Sequence, residues 1–145
     1  MSAELAFAVL NLLVLPWWAV WLLAPRSGLA LRMASHSGIF AGLCGVYAGL
    51  IAAALGGGAL AGMDYASWKA ALSTPFGFLA GWVHYLAFDL FVGAWMLRES
   101  KRLGVEVRPY LVFALLLGPI GLGAFLLRRG FLLRHFGELG ARDLA

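Results

Sequence analysis

An aspartate and a histidine interrupt an apolar stretch of the chain, residues 81–93, which reads Gly-Trp-Val-His-Tyr-Leu-Ala-Phe-Asp-Leu-Phe-Val-Gly. An acid in the middle of a membrane span costs about 2.5–3.5 kcal/mol on insertion scales, so Asp89 indicates a functional site. Because hydrocarbon disfavours the charged carboxylate, we expect Asp89 to hold a proton and to act as a general acid, with Tyr85 steering it from one turn away. The structural alternative is that Asp89 only hydrogen-bonds Tyr85 or a tryptophan, asparagine or arginine of another helix.

His84 is the second candidate for acid–base chemistry in this stretch. It lies five positions before Asp89, a spacing that separates the two side chains by about 140° around a helix. Residues that share one helical face are three or four positions apart, so we expect His84 and Asp89 to face different helices. His84 is therefore a candidate base only if another helix or a kink brings it to the substrate. A histidine that simply packs within the bundle is the open alternative.

The remaining chemistry-bearing residues predict neither a metal nor an organic cofactor. The three histidines are scattered along the chain, and the single cysteine, Cys44, makes neither an intrachain disulfide nor a cysteine-rich zinc site. Structural and catalytic zinc sites need three or four ligands at defined spacing, which this sequence lacks. We also find no serine-centred nucleophile turn, no phosphate-binding loop and no dinucleotide fingerprint.

Composition identifies the surroundings of these residues as a membrane. The chain has 145 residues, of which 63% are hydrophobic and 12% are charged. An average soluble domain is about 45–50% apolar and about 25% charged, so an ordinary soluble enzyme is excluded. The formal net charge of +4 comes from basic residues that flank apolar runs. That placement is typical of membrane flanks, and we expect no nucleic-acid partner.

Four apolar stretches are long enough to cross the hydrocarbon core, which requires about 20 residues in a helix. They cover about residues 3–24, 37–61, 76–97 and 109–127 and leave a short basic tail, 128–145. None alternates like a barrel strand, so we predict a single all-α domain, a four-helix transmembrane bundle over residues 1–145. Pro119 lacks an N–H group and clashes with the preceding turn, which predicts that the fourth helix kinks or unwinds there, and we expect a kinked helix.

We expect a multi-pass protein of the bacterial inner (plasma) membrane. The first four residues, Met-Ser-Ala-Glu, contain no basic group, and the apolar run is too long for a signal peptide, so we interpret this span as a retained helix. The basic residues then divide six to five between the two sides, which gives no firm orientation. One side carries Arg26, Arg32, Arg98, Lys101, Arg102 and Arg108, and the other carries Lys69, Arg128, Arg129, Arg134 and Arg142.

Small and aromatic residues predict how the helices meet one another and a ligand. The second span has a row of small residues on one face, Gly38, Gly42, Gly45, Gly49, Ala53 and Gly56. Such a row permits close helix approach, either within the chain or in a homo-oligomer formed through Gly42 and Gly49. Trp17, Trp18 and Trp21 are typical of an interfacial aromatic belt. Candidate ligand-lining residues are Trp82, Phe88, Gly93, Gly118 and Pro119.

Three blocks of sequence resemble one known family. They are Asn-Leu-Leu-Val-Leu-Pro-Trp-Trp from Asn11 with Ala-Pro-Arg from Ala24, the motif at residues 82–93, and Leu-Gly-Pro-Ile-Gly from Leu117. Together they are similar to the abscisic-acid-deficient-four-like family over about residues 7–130. Plant members of that family are plastid membrane proteins required to form neoxanthin from violaxanthin.

The resemblance implies a membrane protein of carotenoid or isoprenoid metabolism, and within that class a xanthophyll isomerase that needs no cofactor. Opening an allylic epoxide to an allenic alcohol requires one proton delivered to oxygen and one removed from carbon, a task suited to Asp89 with His84 and Tyr85. The alternative is a non-catalytic scaffold that binds a carotenoid or a lipid. In either case, the expected partners are membrane lipid and one hydrophobic ligand.

Overall fold

The computed structural model describes residues 2–58 and 62–134, and the regular secondary structure in these ranges is entirely helical. Seven helices follow in chain order there: α1 Ala3–Leu23, α2 Gly28–Ser35, α3 Gly38–Gly56, α4 Tyr65–Leu72, α5 Pro75–Leu103, α6 Arg108–Leu117 and α7 Pro119–Leu133. Three segments are long and apolar enough to cross a membrane: α1, α2 with α3, and α5. The predicted all-helical membrane character is confirmed, but the described residues supply three such segments instead of four.

Helix α5 is the central element, and local sequence signals mark where it begins and where it ends. The Thr74 side chain accepts a hydrogen bond from the Gly77 N–H at 3.1 Å, and Pro75 occupies the first turn, where its missing N–H costs nothing. Gly104 ends the helix with a left-handed φ of 68°. With 29 residues the helix is about 43 Å long, and Asp89 lies at its midpoint, fourteen residues from each end. Helix α5 continues beyond the predicted end at 97, because polar residues can extend a membrane-spanning helix into the membrane–water interface.

Helix α1 runs parallel to α5, and a glycine brings the two together. The Phe7 ring lies 4.9 Å from the Trp82 ring near the start of both helices, while Trp18 and Trp21 pack on Gly93 further along. A Cβ on Gly93 would lie only 2.9 Å from Trp18 Cη2, so glycine is required for this approach. The predicted belt of tryptophans is therefore wrong for Trp18 and Trp21, which are buried core residues.

Helix α3 runs antiparallel to α5. The rings of Phe40 and Phe91 lie 5.7 Å apart, and so do those of Tyr47 and His84. A Cβ on Gly42 or Gly49 would meet nothing within 4 Å, so these two positions do not pack against any helix that the structure describes. Self-association through that face remains a prediction. The last residues of the predicted second span, 59–61, lie outside the described ranges.

The fourth predicted helix is two helices. Gly118 has φ 40° and ψ −97°, a backbone conformation that a residue with a Cβ does not readily adopt, and Pro119 starts α7 immediately afterwards. A proline disfavours helical geometry in the residue before it, so α6 stops at Leu117. The predicted position of the break is correct, but the predicted single kinked helix is wrong.

Helices α6 and α7 fold back on each other as a hairpin. The rings of Tyr110 and Phe125 lie 5.5 Å apart in an edge-to-face contact, whereas fifteen positions of one continuous helix would separate them by about 22 Å. Gly121 contacts the backbone of Ala114 directly, which leaves no room for a side chain at that position. Each arm is too short to cross a hydrocarbon core of about 30 Å, and the hairpin extends only about halfway along α5.

Polar contacts attach the base of the hairpin to α1 and α5. At the start of α6, the Arg108 guanidinium donates hydrogen bonds to the C-terminal carbonyl oxygens of Leu22 and Leu23, at 2.9 and 3.3 Å. In α7, Arg129 Nε donates to Glu99 Oε1 of α5 at 2.7 Å. The predicted tail beginning at 128 is thus helical up to Leu133, because Arg129 has a buried partner; residues 135–145 lie outside the described ranges.

Two short helices, α2 and α4, lie at opposite ends of the molecule and were not predicted. Arg98 donates a hydrogen bond to the Ala34 carbonyl, which attaches α2 to α5. At the other end, Asp64 caps α4 and accepts hydrogen bonds from the backbone N–H groups of Ala66 and Ser67. The Ser67 hydroxyl, followed by its N–H, holds the pKa of Asp64 below its usual value. Both helices have eight residues and lack the apolar length on which the sequence argument relied.

Replacing Gly121 with leucine should open the hairpin. The new side chain would collide with the Ala114 backbone, and overpacking of this kind lowers the free energy of unfolding by about 1–3 kcal/mol. We expect a lower melting temperature in detergent than for the parent. Gly123→Leu is the matched control, because a Cβ on Gly123 meets nothing within 4 Å. Equal melting temperatures for the two variants would show that the two arms do not touch.

Candidate functional site

Asp89 faces the tip of the hairpin. A Cβ on Gly118 would lie 3.0 Å from Asp89 Oδ1, so the glycine both forms the turn and leaves room for the carboxyl group. Tyr85, one turn earlier in α5, interacts with this carboxyl group through its hydroxyl. Oδ2 of Asp89 is buried and accepts no hydrogen bond from any residue that the structure describes. An acid group is therefore held at mid-helix with one oxygen unsatisfied.

A cavity of about 230 Å³ adjoins this carboxyl group, between α1, α5 and the end of α6. Its polar side chains are Asp89, Tyr85 and Asn11, together with the indole of Trp82. The rest of the lining is apolar and consists of Val14, Leu15, Trp18, Leu86, Leu115 and Leu116. A mostly apolar cleft with a few convergent polar groups is the usual form of a small-molecule site.

Asn11 fixes the aromatic wall of this cavity. Its Oδ1 accepts a hydrogen bond from Trp82 Nε1 at 3.2 Å, and its Nδ2 donates to the Phe7 carbonyl at 2.7 Å. The Asn11 side chain is thus hydrogen-bonded to Trp82 and to the Phe7 carbonyl, and it does not pair with Asp89 as the structural alternative allowed. Sequence reasoning did not include Asn11 among the site residues, although a lone amide in an apolar span was a usable signal.

The structure does not bring His84 to Asp89. His84 faces α3, where its ring lies 5.7 Å from the Tyr47 ring, and it stacks on Phe88 at 4.5 Å. These contacts belong to the other side of α5, where His84 lines a separate cavity formed with α3 and α4. His84 and Asp89 thus lie on different faces of α5, as their spacing of five residues predicts.

The five predicted lining residues have different positions. Trp82 lines the Asp89 cavity, and Gly118 forms the turn beside the carboxyl group. Pro119 begins α7 directly after that turn, and Gly93 lies under Trp18 in the contact between α1 and α5. Phe88 is largely exposed and stacks on His84, away from this cavity. Sequence reasoning missed the apolar lining from α1 and α6, because it depends on where the hairpin turns.

The polar groups that line this cavity are hydrogen-bond donors and acceptors. Within residues 2–58 and 62–134, no three His, Cys, Asp or Glu side chains form a group that could hold a metal ion. The Asp89 carboxyl group and the Tyr85 hydroxyl are the titratable groups that line the cavity, and both can donate and accept a proton.

These features define a class: an all-helical membrane protein with an intramembrane acid at the tip of a helical hairpin. Residues 5–125 match the model of the ABA DEFICIENT 4-like family, and the chain belongs to that family. The resemblance drawn from the three sequence blocks is confirmed. Neither a curated protein nor a solved structure matches the chain.

Proposed function

We propose that this protein is an intramembrane isomerase that acts on a carotenoid or related isoprenoid, with Asp89 as its catalytic acid. Family membership supports the ligand class, since the ABA DEFICIENT 4-like family suggests a carotenoid-related membrane protein. The single observation that carries the catalytic part is the buried, unsatisfied Oδ2 of Asp89 beside the cavity. A polar group left unsatisfied in a buried site carries a free-energy cost of about 1–3 kcal/mol, which a ligand oxygen would remove.

The proposed epoxide opening is balanced in atoms and charge and needs no redox step. The Asp89 carboxyl group gives its proton to the epoxide oxygen as the C–O bond breaks, which yields a hydroxyl group. A proton then leaves the neighbouring chain carbon as the new carbon–carbon double bond forms, and the Asp89 carboxylate takes it up. The acid is regenerated and the ligand keeps its mass. Because His84 lies in a different cavity, the proposal assigns both proton transfers to Asp89 and gives Tyr85 the task of orienting it.

The size of the cavity limits what enters it. Pockets that enclose a drug-sized ligand measure about 300–1,000 Å³, and the Asp89 cavity measures about 230 Å³. It can hold the oxygenated end ring of a long polyene, while the remaining chain lies along the surface of the helices in lipid. The proposal therefore expects selectivity for the end group and little selectivity for chain length.

Expression in carotenoid-producing bacterial hosts tests the proposal. Each host accumulates a different pigment, with and without an epoxide ring, and extracts are compared with those of the same host carrying an empty vector. The expected result is a new product with a changed retention time and an unchanged mass in a host that makes an epoxide. If no host gains a product and no pigment copurifies with the protein, the proposed ligand class is wrong.

A non-catalytic carotenoid- or lipid-binding scaffold is the second candidate. The observation that favours it is the fixed aromatic wall, Trp82 held by Asn11, which binds a polyene equally well without any reaction. In the same experiment, a scaffold would copurify with unchanged pigment in about equimolar amount. The chromatogram therefore separates the two candidates.

We also propose an orientation for the protein in the bacterial inner membrane. Because the hairpin returns to its starting side, nine of the ten described basic residues lie at one end of the molecule, and Lys69 lies at the other. The nine are Arg26, Arg32, Arg98, Lys101, Arg102, Arg108, Arg128, Arg129 and Arg134. Basic residues accumulate on the cytoplasmic side, so the end with the hairpin base should face the cytoplasm and the start of α1 the opposite side.

Cysteine labelling checks both the orientation and the hairpin. In a Cys44→Ala background we expect Met63→Cys to react with a membrane-impermeant maleimide in intact cells, since Met63 is 79% exposed. Lys101→Cys and Arg134→Cys should react only after permeabilisation. Opposite accessibility of positions 101 and 134 would mean that the fourth segment crosses the membrane. Joint labelling of both from outside would instead reverse the orientation.

A further inference from the structure

A second cavity, of about 360 Å³, lies on the other side of α5 from Asp89. Helices α3, α4 and α5 form its walls, which include Ile51, Leu55, Leu72 and the bare backbone of Gly81, and the cavity opens to the surface of the helices. Its volume falls in the range of about 300–1,000 Å³ that is usual for sites that bury a small ligand. This cavity shares no residue with the Asp89 cavity.

Three residues with polar groups line this apolar space: His84, Tyr47 and Trp68. His84 and Tyr47 are close, with rings 5.7 Å apart, but neither of them hydrogen-bonds a residue that the structure describes. Polar side chains within a membrane span normally find partners, because hydrocarbon offers none. Two unpaired groups that meet in one cavity point to a ligand that carries hydrogen-bonding capacity.

The depth of His84 selects the kind of ligand. It lies five residues from the midpoint of α5, which is about 7.5 Å along the helix axis, so it sits well inside the span. A phospholipid keeps its charged headgroup at the interface and presents only hydrocarbon at that depth. A neutral molecule can bring a single oxygen there, since hydrogen bonds to His84 and Tyr47 would compensate for the lost water.

We propose that the cavity between α3, α4 and α5 is a second binding site, for a neutral lipid-soluble molecule that carries a hydroxyl or carbonyl oxygen. The oxygen lies between His84 and Tyr47, and the apolar body extends past Leu72 and Leu55 toward Trp68. A neutral imidazole can both donate and accept, so it serves either oxygen type. The site is independent of the reaction proposed for Asp89.

Ring ¹⁵N resonances of histidine, recorded with the full chain in phospholipid nanodiscs, test the proposal. The probes are farnesol and its hydrocarbon counterpart farnesene. Farnesol should shift the His84 resonance saturably, at one molecule per chain, whereas farnesene should leave it in place. No shift with farnesol, or equal shifts with both probes, would overturn the proposal. The His84 resonance is assigned by its absence in His84→Gln.

Two variants localise the effect. Tyr47→Phe keeps the ring and the His84 signal but removes one hydroxyl, and should raise the farnesol Kd about 2- to 12-fold, the usual contribution of one hydrogen bond. Gly81→Leu fills the cavity and should abolish the saturable shift, while Gly123→Leu, which faces open space in α7, should not. A shift that survives Gly81→Leu in a folded protein, or disappears in Gly123→Leu, would place the probe elsewhere.

Discussion

Replacing Asp89 with asparagine is expected to lower turnover about 10²- to 10⁴-fold, the usual contribution of a general acid or base, without affecting folding. Asparagine has nearly the same shape and still hydrogen-bonds, but it cannot deliver a proton as a carboxylic acid does. Turnover is measured as product formed per mole of protein in the pigment-producing host, and pigment retention as the amount that copurifies. The variant should retain pigment at the parental level and form almost no product.

Comparison with two other variants distinguishes catalysis from packing. Asp89→Leu should still fold, because Oδ2 has no partner in the described structure and only the Tyr85 hydroxyl would lose its contact with the carboxyl group. Tyr85→Phe should lower turnover less than Asp89→Asn does, since Tyr85 only orients the carboxyl group in this mechanism. Full turnover in Asp89→Asn would remove the acid from the mechanism and leave the binding scaffold as the better account.

Replacing Glu99 with glutamine is expected to lower the free energy of unfolding by about 3–5 kcal/mol, as when one partner of a buried ion pair is removed. Arg129 is only 4% exposed and Glu99 13%, and their atoms meet at 2.7 Å. The change leaves a buried guanidinium without its carboxylate and detaches the returning arm of the hairpin from α5. Thermal unfolding in detergent measures the loss.

Arg102→Gln is the matched control, because Arg102 pairs with the same carboxylate from the more exposed side and should contribute about 1 kcal/mol or less. The double variant Glu99→Gln with Arg129→Met should recover much of the stability, since it also removes the buried charge. If Glu99→Gln melts no lower than Arg102→Gln, the pair does not hold the hairpin. Glu99→Gln should also reduce turnover. When α7 detaches from α5, the tip of the hairpin moves, and Gly118 at that tip adjoins Asp89.

Features that depend on neighbouring residues were predictable from the sequence. Composition indicated a membrane protein, and apolar length placed α1 and the centre of α5. Thr74 and Pro75 start α5 and Gly104 ends it through local hydrogen bonds and backbone geometry, signals that the prediction of a span ending at 97 did not use. Gly118 and Pro119 break the helix where they stand, because a left-handed glycine before a proline cannot continue it. The opposite faces of His84 and Asp89 followed from helical spacing alone.

The tertiary structure determined how the chain continues after the Gly118–Pro119 break and which distant residues meet. A glycine–proline break allows either a bend or a reversal, and the contact of Gly121 with Ala114 and of Arg129 with Glu99 selects the reversal. Those contacts join residues whose proximity no local pattern encodes. The reversal moves the basic residues of α7 to the side of Lys101, so the ten basic residues that the structure describes divide nine to one between the two ends instead of six to four. It also places Leu115 and Leu116 beside Asp89, so that an acid recognisable in the sequence acquires a cavity only through the fold.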